Sequence, residues 1–335
     1  MFFSIIIPLY NRPDELRELL TSLVSQTYQS FEVIIVEDGS SRPGDLIAQH
    51  FSKNLDVKYF KKENEGQGFA RNYGFARSSG DYFIVFDSDI LVPPNYLEQV
   101  NAAITLHGWD AFGGPDAAHA SFTTIQKAIS YSMTSPFTTG GIRGNKKHVG
   151  QFHPRSFNMG LSRAVWESTG GYKLSRRSED IEFSIRMINS GYKVGLIPEA
   201  FVYHKRRTSF PQFYKQTKGF GKGRVDISLL YPKELKLVHT LPSIFTLGVI
   251  VLLVLNIINS FIFNDILLLK YMVYLGNIFL LAYTVLLFLH ALVVTKHILV
   301  AVYGVVAAFT QLFAYGTGFM KNYVDRIWLK KNTSM

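Results

Sequence analysis

The chain has no cysteine, so no disulfide can form, and that composition fits a reducing compartment. Charge is missing in three places: residues 237–264, 271–295 and 297–320 hold no Asp, Glu, Lys or Arg. Each stretch is long enough to cross a hydrocarbon layer of about 30 Å, which takes roughly 20 apolar residues. Three in tandem with almost no polar face exclude an ordinary soluble chain, and three hydrophobic membrane helices are expected at about 240–263, 271–295 and 297–320. A signal-peptide core is also lacking. Pro8 and Asn11-Arg12-Pro13 break the apolar N-terminus, and no small-residue cleavage site follows, so the N-terminal domain is expected in the cytoplasm.

The charge that is present lies unevenly. The formal net charge is +10, and residues 205–236 carry nine Lys and Arg against Asp226 and Glu234. A basic collar directly before an apolar span belongs on the cytoplasmic side, where each cation gains about 1 kcal/mol from anionic headgroups. Its place beside a bilayer argues against a nucleic-acid partner, and the reading is a multi-pass protein of the cytoplasmic (inner) membrane. Three crossings would put Lys321, Arg326, Lys330 and Lys331 of the basic tail, 321–335, on the far side, against the same tendency. Gly316 and Gly318 interrupt the third run, so a re-entrant or interfacial helix stays open beside a true crossing.

Ahead of the membrane region, residues 2–9 form a short apolar run without alternation, the pattern of a strand buried on both faces. Asn11 as a cap, Pro13 in the first turn, and Asp14 and Glu15 at the positive dipole end then start a helix. Leu16, Leu19, Leu20, Leu23 and Val24 recur along it at helical spacing. Residues 31–36, 57–60 and 82–86 repeat the strand pattern between helices. This predicts an α/β domain built on a doubly wound, mostly parallel sheet, with function gathered along one edge.

Chemistry collects where these strands end. After the third comes Asn64-Glu65-Gly66-Gln67-Gly68-Phe69-Ala70-Arg71-Asn72, a glycine-bearing turn that opens a helix. The fourth ends in Asp87-Ser88-Asp89, two carboxylates that can hold a divalent ion against a diphosphate, although Asp-x-Asp is equally a common surface turn. From about residue 111 to 157 the pattern loosens. Residues 137–150 are glycine-rich with Arg143, Lys146, Lys147 and His148, which suits a basic loop over a phosphorylated ligand or an ordinary solvated loop. Ser178-Glu179-Asp180 starts a helix that ends at Gly191, and a strand over 194–202 leads to His204. Beyond it, Phe210, Phe213, Tyr214 and Phe220 give a basic amphipathic segment, at home on a membrane face or in the cytosol.

Ser4-Ile5-Ile6-Ile7-Pro8-Leu9-Tyr10-Asn11-Arg12 resembles the opening strand of the family 2 glycosyltransferases, which share the GT-A nucleotide-sugar fold. Val36-Glu37-Asp38-Gly39-Ser40, the 64–72 turn, Phe86-Asp87-Ser88-Asp89, Gly170-Gly171-Tyr172 and Glu179-Asp180 follow in the family's order. The likeness covers residues 2–225, a GT-A domain over 1–225, followed by the basic segment 205–236 and the helical membrane region 237–320.

The resemblance implies roles for residues at these positions. Pro8, Tyr10, Asn11, Glu37, Asp38, Gly68, Arg71 and Asp87 would surround the nucleotide-sugar donor, with Glu37 and Asp38 on base and ribose. Asp89 and His204 would ligate Mn²⁺ or Mg²⁺, the mixed N/O shell leaning toward Mn²⁺, and Asp180 would be the catalytic base. Asn158, Trp166 and Glu179 fall in the acceptor region. Processive members carry a Gln-x-x-Arg-Trp element that this chain lacks, since no Arg-Trp pair follows Gln216. The resemblance therefore implies transfer of a single sugar, from a UDP-sugar, with inversion, to a lipid-linked saccharide in exopolysaccharide or cell-envelope glycan assembly. A polyprenyl-phosphate sugar synthase and a catalytically silent membrane scaffold are the alternatives.

Overall fold

In the computed structural model, which describes residues 1–139, 152–261 and 267–331, the unalternating N-terminal run is a strand covered on both faces, β1 (Phe3–Leu9). The chain continues through α1 (Pro13–Val24), β2 (Phe31–Asp38), α2 (Asp45–Phe51), β3 (Val57–Lys62), α3 (Gln67–Phe75) and β4 (Tyr82–Phe86). Next come β5 (Ile90–Leu91), α4 (Tyr96–His107), β6 (Ala111–Gly113), β7 (Asp116–Ala117), α5 (Thr124–Thr134) and α6 (Pro136–Thr139). They are followed by β8 (Asn158–Ser162), α7 (Arg163–Thr169), α8 (Glu179–Asn189), β9 (Val194–Leu196) and β10 (Val202–His204). The long helices α9 (Phe210–Leu230), α10 (Leu241–Phe261), α11 (Leu267–Thr295) and α12 (Ile298–Tyr323) close the chain. The chain divides into two units, the first holding 1–120 and 152–205, the second holding 121–139, 206–261 and 267–331. The first unit thus closes at Lys205, ahead of the boundary near 225 expected from sequence. The basic loop expected over 137–150 falls almost wholly outside the described residues.

In the first unit, among the described residues, the main sheet runs β3-β2-β1-β4-β8-β6-β9 and a small one runs β5-β10-β7. The pairs β1·β2, β2·β3, β1·β4 and β6·β9 are parallel, while β8 runs antiparallel to both β4 and β6. Side chains two apart share a face of a strand, which sorts the core into two layers. Phe3, Ile5, Ile7 and Leu9 pack with Leu16, Leu19 and Leu20 of α1, whereas Ile6, Ile34 and Val36 pack with Ala70 and Phe75 of α3. Each such buried aliphatic or aromatic side chain stabilises by about 1.5–3 kcal/mol.

Two local readings need correction. Arg12, not Asn11, stands at the N-cap position of α1 and makes no side-chain capping bond; Asn11 takes a left-handed backbone (φ 55°), and its Oδ1 accepts hydrogen bonds from Ser41 Oγ and Arg42 N. The strand expected over 194–202 is two short strands in different sheets, β9 and β10, because the chain turns at Ile197-Pro198-Glu199 and the proline cannot donate to a ladder.

In the second unit, residues 121–139 supply the helices α5 and α6 where the sequence pattern loosened. Thr123 and Gln126 make a reciprocal capping box, Ile129 and Met133 join Phe213 and Ala307 in a core, and Tyr131 Oη donates to Leu287 O at 3.0 Å. Gly316 and Gly318 do not break α12, which is one continuous helix. They let it pack closely: a Cβ on Gly316 would lie 2.5 Å from Pro242 O, and one on Gly318 would lie 2.2 Å from Lys218 O. The re-entrant reading therefore falls.

Candidate active site

Elementary strand geometry decides which acid at the end of β2 faces the cleft. Neighbouring residues point to opposite faces, so Glu37 and Asp38 part company. Glu37 Oε2 accepts from Gly44 N (2.8 Å) and Tyr59 Oη (2.7 Å), and Oε1 accepts from Ser40 Oγ. Its carboxylate is committed to the 40–44 loop. Asp38 turns toward α3, where Oδ1 accepts from Glu65 N (3.0 Å) and Oδ2 from Gly66 N (2.8 Å), with Lys62 Nζ at 3.1 Å. A cleft of about 320 Å³ opens here, bordered by Pro8, Tyr10, Asp38, Gly66, Gln67 and Arg176.

The glycines of the 64–72 turn serve the protein before any ligand. A Cβ on Gly68 would lie 2.2 Å from Leu174 O, and one on Gly66, at φ +104°, would lie 2.7 Å from Ser175 O. They admit the segment 174–176, and Gly68 N donates to Ser175 O at 2.8 Å. Gly68→Ala is expected to cost about 1–3 kcal/mol through this overlap, seen as a lowered Tm of the purified protein.

Arg71 rises from α3 into the middle of the site and is almost wholly buried. Its guanidinium reaches Asp87 Oδ1 at 2.7 Å and Glu179 Oε1 at 3.0 Å, with the Tyr172 ring 5.3 Å away. Burial works against its charge, yet Tyr172, Asp87 and Glu179 outweigh burial and raise its pKa above the usual arginine value. One cation therefore ties the end of β4 to the start of α8.

Asp87, Asp89 and His204 each bring one ligand atom to a common point, all within 4.8 Å of one another. The register of β10 on β5 delivers this, pairing His204 with Ile90 directly after Asp89. Asp89 Oδ1 lies 3.3 Å from His204 Nε2, and Oδ2 pairs with Arg12 Nη1. Burial would raise the pKa of Asp89, but His204 and Arg12 prevail and hold it far below the carboxylate range. Among the described residues Asp89 Oδ1 is buried with no well-aligned hydrogen-bond partner. Two carboxylates and an imidazole brought this close together form a donor set that fits a divalent cation of the Mn²⁺ or Mg²⁺ class. Phe157 stacks on the imidazole (4.9 Å), and buried Asp116 Oδ2 stands 3.7 Å from Nδ1, where it can orient the ring.

At the start of α8, Asp180 is half-buried, its Oδ1 accepting from Ile181 N at 2.8 Å and its Oδ2 lying 3.7 Å from Arg155. Ser178, just before, holds a left-handed φ of 61° that aims the two acids. Glu179 is buried, and burial first, then the charge of Asp180, pushes its pKa up to about 7 despite Arg71. The folded chain thus keeps a proton that the unfolded chain, at an ordinary 4.5, has released. Stability from this group is full below about pH 4.5 and is lost as pH rises to about 7. Melting curves should show Tm declining across that window, and Glu179→Gln should flatten the decline.

The structure does not bring Asn158 and Trp166 into this group. Asn158 is fully buried, accepting from Tyr96 Oη and donating to Ala200 O at 2.8 Å, while Trp166 packs against Phe75 and Phe83. Both are packing residues. Sequence reasoning missed Arg12, the cation on Asp89, although it stands inside the opening motif. It also missed Asp116, whose approach depends on β7 pairing with β10.

Residues 4–168 match the family described as glycosyl transferase family 2. The chain is 44% identical over 99 residues to an uncharacterized glycosyltransferase of Rickettsia bellii, covering 29% of this chain and 14% of that protein. It thus spans less than a third of the length of its rickettsial relatives. With the glycosyltransferase AglE of Haloferax volcanii it shares 28% identity over 72% of this chain and 78% of that one. Among solved structures, a mannosyltransferase from Pyrobaculum calidifontis in complex with GDP-Man and Mn²⁺ superimposes with a TM-score of 0.61. The alignment covers 93% of this chain and 87% of that one at 14% identity, a likeness of fold. Residues 4–168 thus match glycosyltransferase family 2, and the sheet unit has the GT-A fold.

Proposed function

We propose that this chain transfers one sugar from a nucleotide-sugar donor, with inversion and with a divalent metal, to a lipid-linked saccharide at the inner face of the cytoplasmic membrane. The product would enter exopolysaccharide or cell-envelope glycan assembly. One observation carries the reading: Asp87, Asp89 and His204 converge at the end of β4, and Asp87 is tied through Arg71 to Glu179 at the start of α8.

In this reading Pro8, Tyr10, Asn11 and Asp38 line the nucleotide end, and Asp87, Asp89 and His204 hold the metal. The metal, when bound, stabilises the negative charge that grows on the departing diphosphate. The acceptor hydroxyl oxygen attacks the anomeric carbon, the bond from that carbon to the diphosphate oxygen breaks, and the hydroxyl proton passes to Asp180. Glu179, its carboxylate held by Arg71 and Gln67, orients the helix start rather than competing for the proton. The GDP-Man and Mn²⁺ of the Pyrobaculum neighbour support a nucleoside diphosphate sugar and a divalent ion. Three helices long and apolar enough to cross a membrane, among the described residues, support an acceptor that is itself membrane-anchored.

The test is a donor screen on the purified full chain with Mn²⁺ or Mg²⁺ and a membrane lipid extract, scored by nucleoside diphosphate release. UDP-sugars come first, with GDP-mannose beside them. Sugar recovered on a lipid-linked saccharide supports the reading. Sugar on bare polyprenyl phosphate replaces it with the synthase, and a folded protein that turns over no donor replaces it with the scaffold.

A further inference from the structure

Although α12 is as apolar as a membrane span, its contacts do not follow the course of one. The pair α10 and α11 forms an antiparallel hairpin, with Phe245 beside Tyr283 (5.7 Å) at one level and Asn277 Nδ2 donating to Asn256 Oδ1 (3.0 Å) further along. Where α12 begins, Ala301 clusters with Ala291 of α11. By Phe309 it has reached Tyr283 (6.1 Å) and Phe245 (5.8 Å). By Leu312 and Gly316 it meets Thr246 and Pro242.

From residue 301 to 309, α12 climbs toward the level at which α11 begins; from 309 to 316 it descends again. A helix running beside the hairpin through a bilayer would keep one direction. These contacts span eight residues of α11 and four of α10, about 12 Å and about 6 Å of helix axis. The 26 residues of α12 extend about 39 Å, so it lies across the hairpin rather than along it.

The partner of α12 fixes its depth. It runs with α9 in the same direction, from Phe210 against Tyr303 (6.1 Å), through Gly221 against Tyr315, to Asp226, which accepts from Asn322 Nδ2 at 2.9 Å. On the same α9 stand Lys215, Lys218, Lys222 and Arg224, and each cation at the centre of a bilayer costs about 2.5–3.5 kcal/mol. Held along α9, α12 is kept at the level of those cations. It is also 44% buried over its most apolar stretch, against 11% for α10 and for α11. Its exposed face, including Ile298, Leu299, Val302 and Val306, is an apolar stripe at helical spacing that fits the acyl boundary of a leaflet.

We propose that only α10 and α11 cross the membrane, and that α12 lies in the interface beside α9 as a platform on one leaflet, its cationic borders against anionic headgroups. Lys321, Arg326 and Lys330 then fall on the same side as the basic collar, which removes the conflict with the positive-inside tendency. The proposal rests on the membrane-anchored reading of the chain.

The cysteine-free sequence makes the test direct. Single variants Lys233→Cys, Leu267→Cys and Lys330→Cys of the full chain, all at exposed positions, are treated with a membrane-impermeant maleimide in sealed right-side-out and inverted vesicles. Detergent-opened vesicles give the full signal. Residues 233 and 330 should label from one face and 267 only from the other. Labelling of 330 together with 267, or of all three from one face, overturns the two-crossing arrangement. Alkaline extraction separates the two readings: release of the whole protein overturns membrane anchoring itself, whereas retention with the wrong labelling pattern overturns only the platform.

Discussion

Asp89→Asn should lower metal-dependent donor turnover by about a thousandfold, the effect of losing several kcal/mol of charge stabilisation on the leaving group. The residue is buried between Arg12 and His204, so removing its charge also leaves the Arg12 guanidinium without its partner. Two measurements separate the roles. Mn²⁺ binding followed by electron paramagnetic resonance should weaken in Asp89→Asn and in His204→Ala, whereas Arg12→Ala should leave the ion bound. A variant Asp89→Asn with unaltered Mn²⁺ binding and full turnover would remove the proposed metal site.

Asp180→Asn should be the other large loss, about 10²–10⁴-fold in kcat with the KM for donor little changed, because a general base acts only as the acceptor loses its proton. Glu179 is the built-in comparison. It sits next door, but its carboxylate is taken by Arg71 and Gln67 and is buried, while Asp180 is half-open and accepts from its own helix. Glu179→Gln should therefore keep far more turnover than Asp180→Asn, its main effect being on stability between pH 4.5 and about 7. Reversed severities would move the base to residue 179.

Much of this arrangement is written in local pattern. The run 3–9 declares a central strand because burial on both faces removes alternation, and the Asp pair declares a strand end because two carboxylates follow an apolar stretch without a break. The parting of Glu37 and Asp38 was equally available, since a period of two forbids both from facing one cleft. Other features depend on distant pairings that no window of sequence contains. Asp116 meets His204 only because a two-residue strand pairs with a three-residue one. Gly66 and Gly68 announce a close approach, but not which backbone makes it, and here it is residues 174–176. The helix α5 escaped notice although Thr123-x-x-Gln126 and the spacing of Ile125, Ile129 and Met133 were there to see, because small and hydroxylated residues diluted the pattern around it.

That helix limits how the catalytic part can be handled by itself. Residues 121–139 leave the sheet unit between β7 and β8 and take their covering from chain that comes much later, Phe213 and Ala307 on one side and Leu287 and Ala291 on the other. Cutting the polypeptide after residue 205 would strip Ile129, Tyr131 and Met133 of that cover and leave a greasy insertion prone to clumping. A water-soluble version of the sheet unit has to bridge from residue 120 to residue 152 by a short linker, keeping Arg155 and Phe157, as well as shed the C-terminal helices.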